Sequence, residues 1–213
     1  MKKRLPFTAL ELVLVCAVAA ILLSISLPAF YNISAGRRIT GAMSTIAANI
    51  SLARARAVSD HIYTALVFYS GDSIRLAEVR KKTGASGFEF IFTRWLDGSS
   101  WEGIGDGVVI PDGDTNFHEG ASGTSSPYSV SNVDFSDLGG SSATAARVIV
   151  FSPRGQIFMK GSAVDPITIR AAEGSKIPGT NNFTLKKTGT QTTYAVLTVN
   201  PLSGRTSVSY VSE

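Results

Sequence analysis

The chain has 213 residues, of which 44% are hydrophobic and 17% are charged, and its formal net charge is +4. This composition supplies enough apolar material for a folded core and excludes a wholly disordered chain. Lys2, Lys3 and Arg4 account for three of the four net charges, so the remainder lacks the clustered basic face that nucleic acids require. Cys16 is the only cysteine, which excludes an intrachain disulfide.

A long hydrophobic run follows a basic leader at residues 1–6. Residues 12–30 carry no charge, and the only hydroxyl groups among them belong to Ser24 and Ser26. As a helix, this run spans about 28 Å, close to the thickness of a bilayer's hydrocarbon core, about 30 Å. The sequence therefore predicts a transmembrane and assembly helix at 7–30. The basic flank predicts a single-pass membrane protein with a cytoplasmic N-terminus and an extracytoplasmic head.

Three interpretations of this run compete, and Glu11 distinguishes them. A cleaved secretory signal peptide has a shorter apolar region and a small-residue cleavage site, which Leu-Pro-Ala at 27–29 matches poorly. A plain signal anchor needs no acid, although Glu11 at its end can simply lie in the headgroup layer. In the third interpretation, the carboxylate is functional, because an acid near hydrocarbon is costly unless it is paired. No Lys or Arg lies between Arg4 and Arg37. Removal of the leader before Phe7 creates an amine that can pair with Glu11 of a neighbouring copy.

The segment 7–15, Phe-Thr-Ala-Leu-Glu-Leu-Val-Leu-Val, resembles the processing and assembly motif of the type IV pilin and type II secretion pseudopilin family. The resemblance implies cleavage by a prepilin peptidase between Pro6 and Phe7, with Phe7 then N-methylated. It implies that Glu11 is the assembly carboxylate and that Pro28 is the proline found in this family's helix. The chain differs from the family at Pro6, where glycine normally stands. The function implied is a minor pilin or pseudopilin that assembles with other such subunits into a type II secretion pseudopilus or a type IV pilus. The location implied is the inner membrane, with the head in the periplasm.

An amphipathic helix is predicted to continue through residues 31–60. Apolar side chains recur there at steps of three and four residues, which is the spacing of one helical face. They are Ile39, Met43, Ile46, Ile50, Ala53 and Ala57. We expect this face to pack against the remainder of the chain. A coiled coil is the alternative, but the run is short and its alanines favour close packing on a sheet.

Short runs rich in β-branched and aromatic residues follow, separated by Gly, Pro, Ser or Asn, and these predict a β-rich head over 61–213. The predicted strands are 63–69, 74–80, 88–95, 147–151, 156–160, 166–170, 183–187, 194–200 and 205–211. Residues 111–146 are rich in Gly, Ser, Asp, Thr and Asn and predict a long flexible loop. The fold class expected is α+β, with a long N-terminal helix, transmembrane and then amphipathic, packed on an antiparallel β-sheet head as in pilins.

Three head segments add a narrower resemblance, to GspH/FimT-type minor pseudopilins. They are Ala-Arg-Ala-Arg-Ala at 53–57, the strand and turn at 148–155, and the final turn at 199–205. The resemblance favours a minor subunit over a major one.

The sequence shows no catalytic constellation, so no enzymatic activity, no catalytic residue and no cofactor are predicted. Asp112, Asp114 and Asn116 alternate as calcium ligands do, but the glycine that an EF-hand loop needs is missing. They are a weak calcium candidate, and a polar turn is the simpler interpretation. Trp95 and Trp101 flank a turn and favour core packing. In the alternative to the pilin function, the chain is a membrane-anchored extracytoplasmic binding module, for example a carbohydrate-binding β head without a role in a fibre. Ligand binding would then depend on these two tryptophans.

Overall fold

A computed structural model describes residues 9–69, 71–84, 87–111, 126–127, 130–138, 147–160, 166–177, 183–187 and 190–212. The chain divides into two compact units, Met1–Arg37 and Arg38–Glu213. The described part of the first unit is helical, whereas the second unit contains every described strand.

The helix α1 extends over Ala9–Ser59. Within the second unit, α1 places the predicted apolar face inward: Ile39 is 6% exposed, and Met43, Ile46, Ile50, Ala53 and Ala57 are buried. The helix ends next to His61, which has a positive φ of 53°, and the N–H of Asp60 still donates to the carbonyl of Arg56. The first strand begins directly afterwards.

Thirteen strands follow among the described residues. They are β1 (Tyr63–Tyr69), β2 (Ser73–Gly84), β3 (Gly87–Trp95), β4 (Glu102–Gly103), β5 (Val108–Val109), β6 (Ser126–Pro127), β7 (Val130–Ser131), β8 (Arg147–Phe151), β9 (Met159–Lys160), β10 (Ile167–Lys176), β11 (Phe183–Leu185), β12 (Thr193–Val199) and β13 (Thr206–Ser212).

The strands form three sheets. The first has the order β7-β3-β2-β1-β8, with β4 also paired to β2, and its β3–β7 pair is parallel. The second has the order β11-β10-β12-β13, with β5 also paired to β10. The strands β6 and β9 form a separate antiparallel pair.

Helix α1 and the two larger sheets share one hydrophobic core. The buried face of α1 belongs to the same cluster as Leu66 and Ile149 of the first sheet and Ile169 and Leu197 of the second. Side chains alternate across a strand, so the other face of the first sheet packs in a second cluster that includes Val67 and Phe90. The first sheet is therefore covered on both faces, which explains why β1 is apolar almost throughout.

Arg54 of α1 lies against two of the predicted turns. Its Nε donates to the carbonyl oxygen of Gly155 at 3.1 Å. A Cβ added to Gly204 would approach Arg54 Cδ to 2.9 Å, and both glycines have positive φ, +76° and +67°. The turns close through hydrogen bonds from Gly155 N to Ser152 O and from Gly204 N to Asn200 O. Glycine is required at both positions because other residues rarely adopt this conformation.

The predicted fold class is wrong. The chain is mostly β, with thirteen strands described against one α-helix, and this does not fit a long N-terminal helix packed on a single antiparallel sheet. The strands form three sheets, one of which contains a parallel pair. The apolar run at the start of the chain is a single strong local pattern. The many short strands that follow have weaker individual patterns, yet together they dominate the fold.

The predicted transmembrane helix and the inner-membrane localisation are also wrong. Within the part of the chain that the structure describes, no helix combines the length and hydropathy needed to cross a membrane. A spanning helix needs about 20 consecutive, predominantly apolar residues. The transmembrane and single-pass assignments that followed from this helix are corrected with it.

Candidate assembly surface

Residues 9–24, called here the apolar segment, form the first part of α1, and every described side chain in this segment is exposed. Nine large hydrophobic side chains are exposed by 50% to 79%: Leu10, Leu12, Val13, Leu14, Val15, Val18, Ile21, Leu22 and Leu23. Four of them are consecutive, so they point to all sides of the helix instead of forming one stripe. A helix that is apolar on all sides is normally buried, and exposed apolar surface of this extent marks an interaction site.

Glu11 is the only ionisable carboxylate in this apolar segment, and it lies in the first turn of α1. The N-terminal end of a helix carries a partial positive charge, which stabilises an acid at this position. Cys16 lies further along the same segment and is also exposed. The segment thus combines a single acid, a single thiol and otherwise apolar side chains.

The structure tests the other predicted processing and assembly residues only in part. Pro6 and Phe7 lie outside the described residues, so cleavage between them and the pairing of a Phe7 amine with Glu11 stay predictions. Helix α1 is continuous through Pro28, whose side chain lies outside the description.

The two tryptophans lie within an aromatic cluster of the first sheet. The ring centroids of Trp95 and Trp101 are 5.0 Å apart in an edge-to-face arrangement, and those of Trp101 and Phe135 are 5.9 Å apart. The guanidinium of Arg75 lies over the Trp95 ring at 4.6 Å and donates through Nη1 to Asp137 at 2.8 Å. The guanidinium of Arg75 therefore occupies one face of the Trp95 ring, and both tryptophans are partly buried among protein groups.

The turn that carries Phe135 is held by its neighbours. The backbone N–H of Ser136 donates to Oδ1 of Asp134 at 2.9 Å. This hydrogen bond stabilises the ionised carboxylate and lowers the pKa of Asp134 below its ordinary value. The lowered pKa thus follows from the hydrogen bonding of an exposed turn.

No metal site is built by the described residues: they contain no group of three or more His, Cys, Asp or Glu side chains that could hold an ion. The calcium candidates Asp112, Asp114 and Asn116 lie outside the description. His61 is exposed at the end of α1.

A second exposed surface was not predicted from the sequence. Strand β13 pairs with β12 at the end of its sheet, and its side chains Val208, Tyr210 and Val211 are 44%, 55% and 39% exposed. The phenolic oxygen of Tyr210 lies 2.8 Å from the Thr40 hydroxyl of α1, within hydrogen-bonding distance. The strand itself was predicted at 205–211. Its place at a sheet edge depends on strand order, which local sequence does not encode.

No protein-family model, no curated protein and no solved structure matches this chain significantly.

Proposed function

We propose that this chain is a non-enzymatic, pilin-like subunit, a minor pilin or pseudopilin that assembles into a type II secretion pseudopilus or a type IV pilus. The observation that carries the proposal is the apolar segment, nine of whose large hydrophobic side chains are at least half exposed. In a fibre, the corresponding segments of neighbouring subunits cover this surface. Burial of apolar area contributes about 25 cal/mol per Å², so a helix covered on all sides gives a large driving force for assembly.

Glu11 gives the assembly its register in this proposal. An apolar contact alone is non-directional and allows neighbouring helices to slide along one another. A buried carboxylate is costly unless it meets a cation, so only a register that supplies one is stable. The amine of Phe7 in a neighbouring copy is that cation if a prepilin peptidase removes the leader after Pro6. Mass spectrometry of the mature N-terminus tests this step, and the expected species begins at methylated Phe7.

The assembly role is tested by the substitution Glu11→Ala in the full chain. We expect the variant to fold and to lose fibre formation, because its helices lack the pairing that fixes their register. Sedimentation of fibres sheared from producing cells measures the loss. Leu52→Ala, at an exposed position of α1 outside the apolar segment, is the control and should retain fibres. Normal fibres from Glu11→Ala would contradict the register role.

The lone thiol provides an independent readout of burial. Cys16 is exposed in the isolated chain, so a maleimide should label it rapidly there and at least about tenfold more slowly in assembled fibres. A Ser100→Cys, Cys16→Ser variant provides the control, since Ser100 is an exposed residue of the β-rich unit. Equal labelling of Cys16 before and after assembly would show that the apolar segment is not the contact.

The alternative binding module predicts different results. It would tolerate Glu11→Ala and would lose ligand binding on substitution of Trp95 or Trp101. The packing of these two rings against Phe135 and Arg75 favours the assembly proposal.

A further inference from the structure

Strand β13 is an edge strand without the usual protection. Its seven residues, Thr-Ser-Val-Ser-Tyr-Val-Ser, include no charge and no proline, and its register with β12 is continuous from Thr206 to Ser212 without a bulge. Natural edge strands are normally blunted by charges, prolines, bulges or short length, because alternate residues present unpaired N–H and C=O groups to any approaching strand. The β13 edge has none of these features.

The other sheet ends of the described residues are protected. The strand β7 has only two residues, and β11 has three and is followed by Lys186 and Lys187. At β8, the N–H of Phe158 donates to the carbonyl oxygen of Val150 at 2.9 Å, so a returning segment covers that edge. Strand β13 is therefore a long edge strand to which none of these protections applies among the described residues, and its apolar side chains are exposed.

We propose that β13 pairs with β13 of a second copy of this chain, antiparallel and centred on Ser209. A two-fold axis perpendicular to the sheet keeps each side chain on its own face, and the centre at Ser209 pairs all seven residues. Val208 of one copy then lies opposite Tyr210 of the other. Pairs of an aromatic and a β-branched residue across two strands are favourable. Both side chains are on the face of Leu197 and Ala195, their partners in β12.

The charges beside β13 and its contact with α1 favour a second copy of this chain as the strand that pairs with β13. Arg205 precedes β13 and Glu213 follows it in the sequence, so two antiparallel copies of this stretch are complementary in charge. The contact between Tyr210 and Thr40 joins the strand to α1 and holds the edge in place before pairing. Because a two-fold contact closes on itself, it builds a pair and not a fibre. This inference therefore goes beyond the proposed fibre role.

Disulfide trapping in the full chain tests the register. In a Cys16→Ser background, Ser209→Cys places two thiols directly opposite each other, with Cα atoms about 4.5–5.5 Å apart, within the range for a disulfide. We expect rapid formation of a covalent dimer under mild oxidation in detergent solution. Ser207→Cys is the matched control on the same face of the same strand. Its two thiols are offset by four residues, about 13 Å, and should not cross-link.

A third variant separates specific pairing from chance collision. Val208→Lys, added to the Ser209→Cys chain, introduces a charge at an exposed edge position and should reduce the dimer yield at least about tenfold while leaving the circular dichroism spectrum unchanged. Equal yields from Ser207→Cys and Ser209→Cys, or an unchanged yield with Val208→Lys, would overturn the inference.

Glu11→Ala distinguishes this inference from the proposed function. In the Ser209→Cys background it should leave the covalent dimer intact while fibres are lost. If the chain forms fibres but no covalent dimer, the β13 pairing is wrong and the proposed function stands. If the covalent dimer forms and fibres also form in the Glu11→Ala variant, the β13 pairing stands and only the register role of Glu11 is wrong.

Discussion

The two parts of α1 differ in the surroundings of their apolar side chains. In the first part, Leu14 is 63% exposed, and its neighbours on all sides are similarly exposed. In the second part, Ile50 is completely buried, and the residues between the apolar positions are mostly polar or small. Both parts belong to one helix and are rich in aliphatic residues. The comparison teaches that periodicity, more than the amount of apolar surface, determines whether a helix packs within its own chain.

The largest difference between the two parts should appear on truncation of their aliphatic side chains. Ile50→Ala leaves a cavity in the core, and we expect it to lower the free energy of unfolding by about 2–5 kcal/mol. Leu14→Ala removes an exposed side chain and should change the free energy by less than about 0.5 kcal/mol. Urea denaturation followed by circular dichroism measures both. Similar losses in the two variants would show that the apolar segment is already packed within the isolated chain.

A smaller effect is expected where the second part of α1 meets the sheets through alanine. Ala53 is completely buried, so Ala53→Leu adds volume to a filled core and should destabilise the protein by about 1–3 kcal/mol. Leu52, its neighbour, is 47% exposed, and Leu52→Ala should cost less than about 0.5 kcal/mol. The same denaturation experiment compares them. A stabilising Ala53→Leu would indicate unfilled space beneath the helix.

The smallest effect concerns the contact of Arg54 with the final turn. Gly204→Ala places a methyl group 2.9 Å from Arg54 Cδ and forces alanine to adopt a positive φ, at a cost of about 1–2 kcal/mol. Gly98 also has a positive φ, +76°, but no heavy atom lies within 4 Å of its added Cβ, so Gly98→Ala isolates the backbone cost. We expect Gly204→Ala to exceed Gly98→Ala only slightly, because the Arg54 side chain can move. A lower cost at Gly204 than at Gly98 would contradict this order.

Local sequence predicted several elements well. The strands β1 and β8 have the bounds expected from their β-branched and aromatic runs. The turns predicted within 148–155 and 199–205 are present, and the structure adds that Gly155 and Gly204 there have positive φ. Elsewhere the bounds differ: a strand was predicted at 156–160, but only Met159–Lys160 pairs, because a turn and an isolated bridge at Ile157 occupy the preceding residues.

The candidate assembly surface was predicted in part. The apolar run and Glu11 are features of local sequence, whereas the exposed β13 edge and the aromatic cluster around Trp101 arise from chain segments far apart in sequence. The predicted membrane-spanning helix is wrong, because the hydropathy of a segment alone does not specify the surroundings of a helix.

By itself, the sequence determined the positions of the amphipathic part of α1 and of the strands β1 and β8, because spacing of 3.6 or 2 residues is a local property of the chain. It also determined which face of α1 is buried, from Ile39 to Ala57. Only the tertiary structure decided the order of the strands, the division of the core between two sheets and the position of β13 at an open edge. These features depend on pairing between distant segments, whose register follows from the packing of the whole chain and not from any one stretch of it.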